Sequence, residues 1–68
     1  MEYVWVTEIG YNYEGYSIVG ISKDEDTAKA VAEGHSHRNH NGRLWWSGSA
    51  AYHKWGRYVV SRRIVHGS

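Results

Sequence analysis

The chain has no cysteine, no proline and no phenylalanine, and a single leucine, Leu44, among 68 residues. Without cysteine there is no disulfide and no thiolate metal site. Without proline no turn or kink is fixed through its ring. No run approaches the roughly 20 apolar residues needed to span a bilayer. The start, Met1-Glu2-Tyr3, lacks the basic region of a secretory signal. A cytoplasmic location is therefore expected. Acids are also missing from the entire second half: none follows Glu33.

What is present is bulky and amphipathic. Trp5, Trp45, Trp46, Trp55 and six tyrosines supply the volume that Leu and Phe usually give. Each such ring buries about 150–250 Å² and carries a polar tip that wants a partner. A chain this short buries only about 60% of the surface its unfolded form exposes, so a few large rings must hold a thin core. A single domain, residues 1–68, is expected, with at least one Trp left partly exposed for binding.

Charge is divided along the chain. Up to Gly34 there are seven acids against Lys23 and Lys29, a net −5. After Gly34 come Arg38, Arg43, Lys54, Arg57, Arg62 and Arg63, a net +6, together with all five histidines. Such halves either neutralise each other inside the fold or set up a surface dipole. The expected internal solution sets the basic C-terminal strand against the acidic helix.

Local patterns give an element order. Tyr3 to Thr7 and Tyr16 to Ile21 are rich in β-branched and aromatic residues and predict an antiparallel hairpin across a turn containing Gly10 and Gly15. Ser22-Lys23-Asp24-Glu25 matches a capping box, Ser followed three residues later by Glu. Ala28, Val31 and Ala32 recur at helical spacing, and Gly34 is placed to stop a helix. A helix over 23–33 is predicted, then a polar loop over 35–43. Leu44 to Ser47 reads as a short strand, and Gly48-Ser49-Ala50-Ala51 as a small, flexible link. A long strand should follow, from Tyr52 or Trp55 to Val65, with Tyr58, Val60, Arg62 and Ile64 on one side. The order β-β-α-β-β predicts an α+β fold, a small antiparallel sheet with one helix packed on one face. One helix cannot cover both faces, so the other is solvated or bound.

Tyr13-Glu14-Gly15, Ile18-Val19-Gly20-Ile21 and the run Ser22 to Ala28 resemble a group of short bacterial and phage proteins of uncharacterised role. These share a hairpin followed by a Ser-capped acidic helix. The resemblance covers the first half only. It implies an α+β fold and a phage origin, and transfers no activity and no functional residue.

Nothing in the chain points to catalysis. There is no Cys nucleophile, Gly-x-Ser-x-Gly elbow, phosphate loop or HExxH motif. Ser36 lies between His35 and His37, but neighbours in sequence do not make a triad, which needs an oriented base and an oxyanion hole. No enzyme and no cofactor are expected. The function expected is a small macromolecule-binding module that recognises a protein, a phage-encoded inhibitor of a host protein being one form. Trp45, Trp46, Trp55, Arg57, Tyr58 and Arg62 are the candidate anchors, because interface hot spots favour Trp, Tyr and Arg. Homodimerisation would relieve the thin stability margin. The same residues support a nucleic-acid reading, with rings for unpaired bases and arginines for phosphates. A third reading places a metal on His35, His37 and His40, which zinc accepts as ligands, although the spacing is unfamiliar.

Overall fold

Alternation in the strands and one narrow apolar stripe in the helix set the architecture. The computed structural model describes residues 2–11, 15–39, 42–53 and 56–65. Strand β1 (Tyr3–Tyr11) and strand β2 (Gly15–Ser22) form the expected hairpin. Helix α1 (Glu25–Arg38) follows, then β3 (Trp45–Ser47), β4 (Ala50–His53) and β5 (Gly56–Ile64). The five strands make one sheet in the order β2-β1-β5-β4-β3, with all neighbours antiparallel. The fold is α+β, with the helix on one face.

The second half has one more strand than its pattern predicts. Ser47 pairs with Ala50 across Gly48-Ser49, where Gly48 takes φ 63°. A two-residue hairpin needs that left-handed backbone, which glycine supplies at least cost. Ala50 and Ala51 are thus strand rather than flexible link. Ala51 lies between Trp46 on β3 and Tyr58 on β5, a small side chain between two large ones, and is wholly buried.

The helix boundaries also differ from the expectation. Asp24, not Ser22, is the N-cap, and its carboxylate accepts the Thr27 N–H at 2.8 Å. Ser22 ends β2 instead and is buried. Gly34 does not stop the helix, although a helical glycine costs about 1 kcal/mol relative to alanine. The turn beyond it is held from outside. Ser36 is wholly buried and donates through Oγ to the Gly42 carbonyl at 2.6 Å. Asn39 closes the helix, its backbone N–H and its side-chain amide both donating to the His35 carbonyl.

Docking follows from size. Ala28, Ala32 and Ser36, four residues apart, form the buried seam of α1. The Thr7 hydroxyl donates to the Ala28 carbonyl at 2.9 Å, pinning the helix to the interior strand β1. Ile9, Ala32, Leu44, Ala51 and Tyr58 form the core between helix and sheet, with Val19 and Trp46 against it.

A bulge in β2 has a consequence for the other face. Thr7 pairs with Gly20 and Glu8 with Ile18, so Val19 is the extra residue. Side chains alternate along a strand, so Ile18 and Ile21, three apart, would normally point to opposite faces. The bulge turns Val19 to the core and leaves both isoleucines on the side away from the helix.

Candidate functional site

The helix-free face gathers the large exposed side chains. Trp45 is 70% exposed, Ile21 65%, Ile18 61%, Tyr52 55% and Tyr16 48%. The strand registers put all five on this face. Among the described residues, the other large exposed apolar side chains are Tyr3, Tyr11 and Ile64, at strand ends.

Four pairings align in one line. Trp45 opposes Tyr52, Tyr52 opposes Arg57, Arg57 opposes Gly10, and Gly10 opposes Tyr16. The line crosses every strand from β3 to β2. At strand spacings of about 4.8 Å it is roughly 19 Å long. Gly10 is its one position without a side chain, and the Tyr16 ring fills the gap. A Cβ on Gly10 would lie 2.4 Å from Tyr16 Cε1. The ring thus reaches Arg57, whose Nε donates to the Tyr16 hydroxyl at 2.5 Å. This bond, ahead of a weaker one to Tyr52, holds the guanidinium above its ordinary pKa range. The Arg43 guanidinium lies 5.5 Å from the Trp45 ring and adds a cation at the far end.

A cleft of about 440 Å³ opens at the end of the sheet, lined by Gly10, Tyr11, Gly15, Tyr16, Tyr52, Gly56 and Arg57. A smaller hollow between Glu8, Tyr16, Arg57 and Val59 shares two of its walls. Glu8 is paired with Arg63 at 3.1 Å, strand against strand. The expected pairing of the basic strand with the acidic helix is therefore not the one observed: among the described residues, the acid partner comes from β1.

The structure separates the sequence-predicted anchors. Trp45 and Arg57 lie on the open face. Tyr58, expected as an anchor, is wholly buried under the helix, because β5 alternates and Arg57 takes the outer side. Trp46 is half-buried on the helix side, its Nε1 donating to Glu33 Oε1 at 2.9 Å and its ring 5.1 Å from Lys29 Nζ. Arg62 also lies on the helix side, 4.5 Å from the Tyr3 ring. Trp55 falls outside the described residues. Tyr16, Tyr52, Ile18 and Ile21 were not singled out from the sequence. The Tyr16 and Tyr52 signal was available in strand alternation, whereas the bulge that places Ile21 was not.

The described histidines, His35, His37 and His53, are on the opposite side. His35 is in the helix, not a loop, and its Nδ1 lies 2.6 Å from the Tyr58 hydroxyl. His37 is exposed, two residues on, a spacing at which helical side chains do not face each other. His40 lies outside the described residues. Among the described residues no three His, Asp or Glu side chains are grouped to hold a metal ion. No helix among them is long and apolar enough to cross a membrane. No family model, curated protein or solved structure matches this chain.

Proposed function

We propose that the chain is a binding module that engages a macromolecule through the helix-free face of its sheet and performs no chemistry of its own. The observation that carries this reading is the concentration of Trp45, Tyr52, Tyr16, Ile18 and Ile21 on that one face. Contiguous exposed apolar surface is costly in water and marks interaction sites on small soluble domains. Tyr, Trp and Arg are also the side chains that contribute most at binding surfaces. The isoleucine corner by itself favours a protein partner, and the aromatic line with its arginine favours an anionic one.

A photo-cross-linking residue placed at Tyr52 or Ile18, and separately at Asp26 or Ala30 on the outer side of the helix, tests the reading in cells making the full chain. Adducts from the sheet positions and none from the helix positions are expected. Adducts from the helix alone, or from neither side, would overturn it.

A further inference from the structure

Resting on that reading, we propose that the line Trp45-Tyr52-Arg57-Tyr16 binds unpaired nucleic acid, its rings stacking on bases and its arginines meeting phosphates. Three observations lead there. The first is order. The register puts three aromatic rings and a guanidinium in one transverse line, rather than scattering them as surface chance would. Rings standing on an open sheet face can each take the flat side of a base, and three rings suit two or three bases. A duplex cannot offer those flat sides, because its bases already stack on one another.

The second is charge. None of the four side chains is acidic. Among the described strand residues on this face the one carboxylate is Glu8, and it is tied to Arg63. Asp24, Glu25, Asp26 and Glu33 belong to the helix and its cap, on the other side of the sheet. Of the described second-half cations, Arg57 stands in this line and Arg43 at its Trp45 end, Arg63 is matched by Glu8, and Arg62 and Arg38 lie on the helix side, so the line itself is left cationic. Arg is a favoured residue at protein interfaces too, so the discrimination lies in its surroundings: among the described strand residues of this face the only carboxylate is already paired with Arg63. Here Arg57 stands in the middle of the line.

The third is preparation. Arg57 is steadied by the Tyr16 hydroxyl and lies 5.5 Å from that ring, and Arg43 is seated against Trp45. Guanidinium groups held beside rings can contact phosphate while the rings hold the attached base. An acidic peptide would satisfy the charge but would leave the three rings without flat partners.

The test is fluorescence anisotropy with the full chain and a labelled oligothymidylate of about eight nucleotides, at about 50 and about 200 mM salt. Saturable binding that weakens with salt is expected, and a duplex of equal length should bind more weakly. Trp45→Ala and Tyr52→Ala should each weaken binding roughly tenfold. Arg57→Gln should lower the log–log salt slope by about 0.7. Ala30→Ser, exposed on the outer side of the helix and away from the binding face, should change affinity less than about twofold. Circular dichroism checks each fold, and if Trp45→Ala fails to fold, Tyr52→Ala and Arg57→Gln decide. No saturable binding at the lower salt, equal affinity for duplex, or indifference to the line variants would overturn the proposal. Cross-linked adducts at Tyr52 that resist nuclease and yield to protease would also overturn it, while leaving the binding face intact. Absence of adducts there would instead remove the underlying reading.

Discussion

The Tyr58 hydroxyl, sealed beneath the helix, lies 2.6 Å from Nδ1 of His35. The bond joins β5 to the last turn of α1. The Tyr58 ring also packs on His53, with centroids 5.1 Å apart, and His53 meets Tyr11 edge-on. Both imidazoles have pKa values below the ordinary range. For His35 burial is the main cause, with repulsion from Arg38 adding to it. For His53 burial again leads, opposed by a hydrogen bond with the Gly10 backbone and reinforced by His35. The fold therefore favours neutral histidines, and the unfolded chain binds protons more readily. Stability from this cluster should be fully present above the unfolded value of about 6.5 and fall as pH drops through it. Urea midpoints should be level between about pH 8 and 7 and decline between about 6.5 and 5, with a shallower decline in His35→Gln. Asp24, held down mainly by the Thr27 backbone N–H, adds an acid limb only below about pH 4. A midpoint unchanged from pH 7.5 to about 5.5 would refute the account.

Tyr58 itself should behave as core, not as an anchor. Tyr58→Phe keeps the ring and removes the hydroxyl facing His35. The expected loss is about 1 kcal/mol, the net worth of one hydrogen bond. Tyr58→Ala opens a cavity beside Ala32 and Ala51 and should cost about 3–5 kcal/mol. Trp45→Ala, on the open face, should move the urea midpoint far less. Equal losses for Trp45→Ala and Tyr58→Ala would contradict the burial described above.

The parts of this fold that were legible in the sequence are those set by strong local periodicity. Tyr3 to Thr7 and Tyr16 to Ile21 alternate clearly and became a hairpin. The partition of Tyr58 and Val60 from Arg57 and Val59 also follows from period two alone. What escaped depends on contacts distant in sequence. Gly34 is a stop signal locally, yet Ser36 and His35 find partners on Gly42 and Tyr58, and the helix runs past it. Ser22 and Asp24 are both good caps, and strand pairing with Trp5 claims Ser22. The candidate site was half legible. Trp45 and Arg57 were recognisable by type, but their alignment with Tyr52 and Tyr16 exists only through the registers of four strand pairs. Trp46 and Tyr58 share the composition of anchors, and only alternation tells that they face inward.

Thr7 tests how the helix is held. Its side chain is wholly buried on the interior strand β1, and its hydroxyl reaches the Ala28 carbonyl, a bond across 21 residues. Thr7→Val keeps the shape and removes the donor. A loss of about 1 kcal/mol in urea unfolding is expected. Hydrogen exchange should rise first in α1, because the sheet ladder is untouched. Uniform acceleration across sheet and helix would mean that the bond does not position the helix.

Two glycines on adjacent strands separate the demands of folding from those of the binding face. A Cβ on Gly56 would lie 1.9 Å from the Gly10 carbonyl oxygen and 3.0 Å from Tyr11 Cα. Those are backbone atoms of β1 and cannot yield without breaking the β1–β5 ladder. Gly56→Ala should therefore cost about 3 kcal/mol or more. The three atoms nearest to a Cβ on Gly10 all belong to the Tyr16 ring, which stands on an exposed edge strand and can swing aside. Gly10→Ala should cost less than about 1 kcal/mol. Its effect falls on the line of rings, because the displaced Tyr16 loses both its seat and the hydrogen bond from Arg57. A folded Gly10→Ala chain that binds oligothymidylate several-fold more weakly is the expected result. If Gly10→Ala folds and binds like the parent, the seating of Tyr16 over Gly10 contributes nothing to recognition, and the line ends at Arg57.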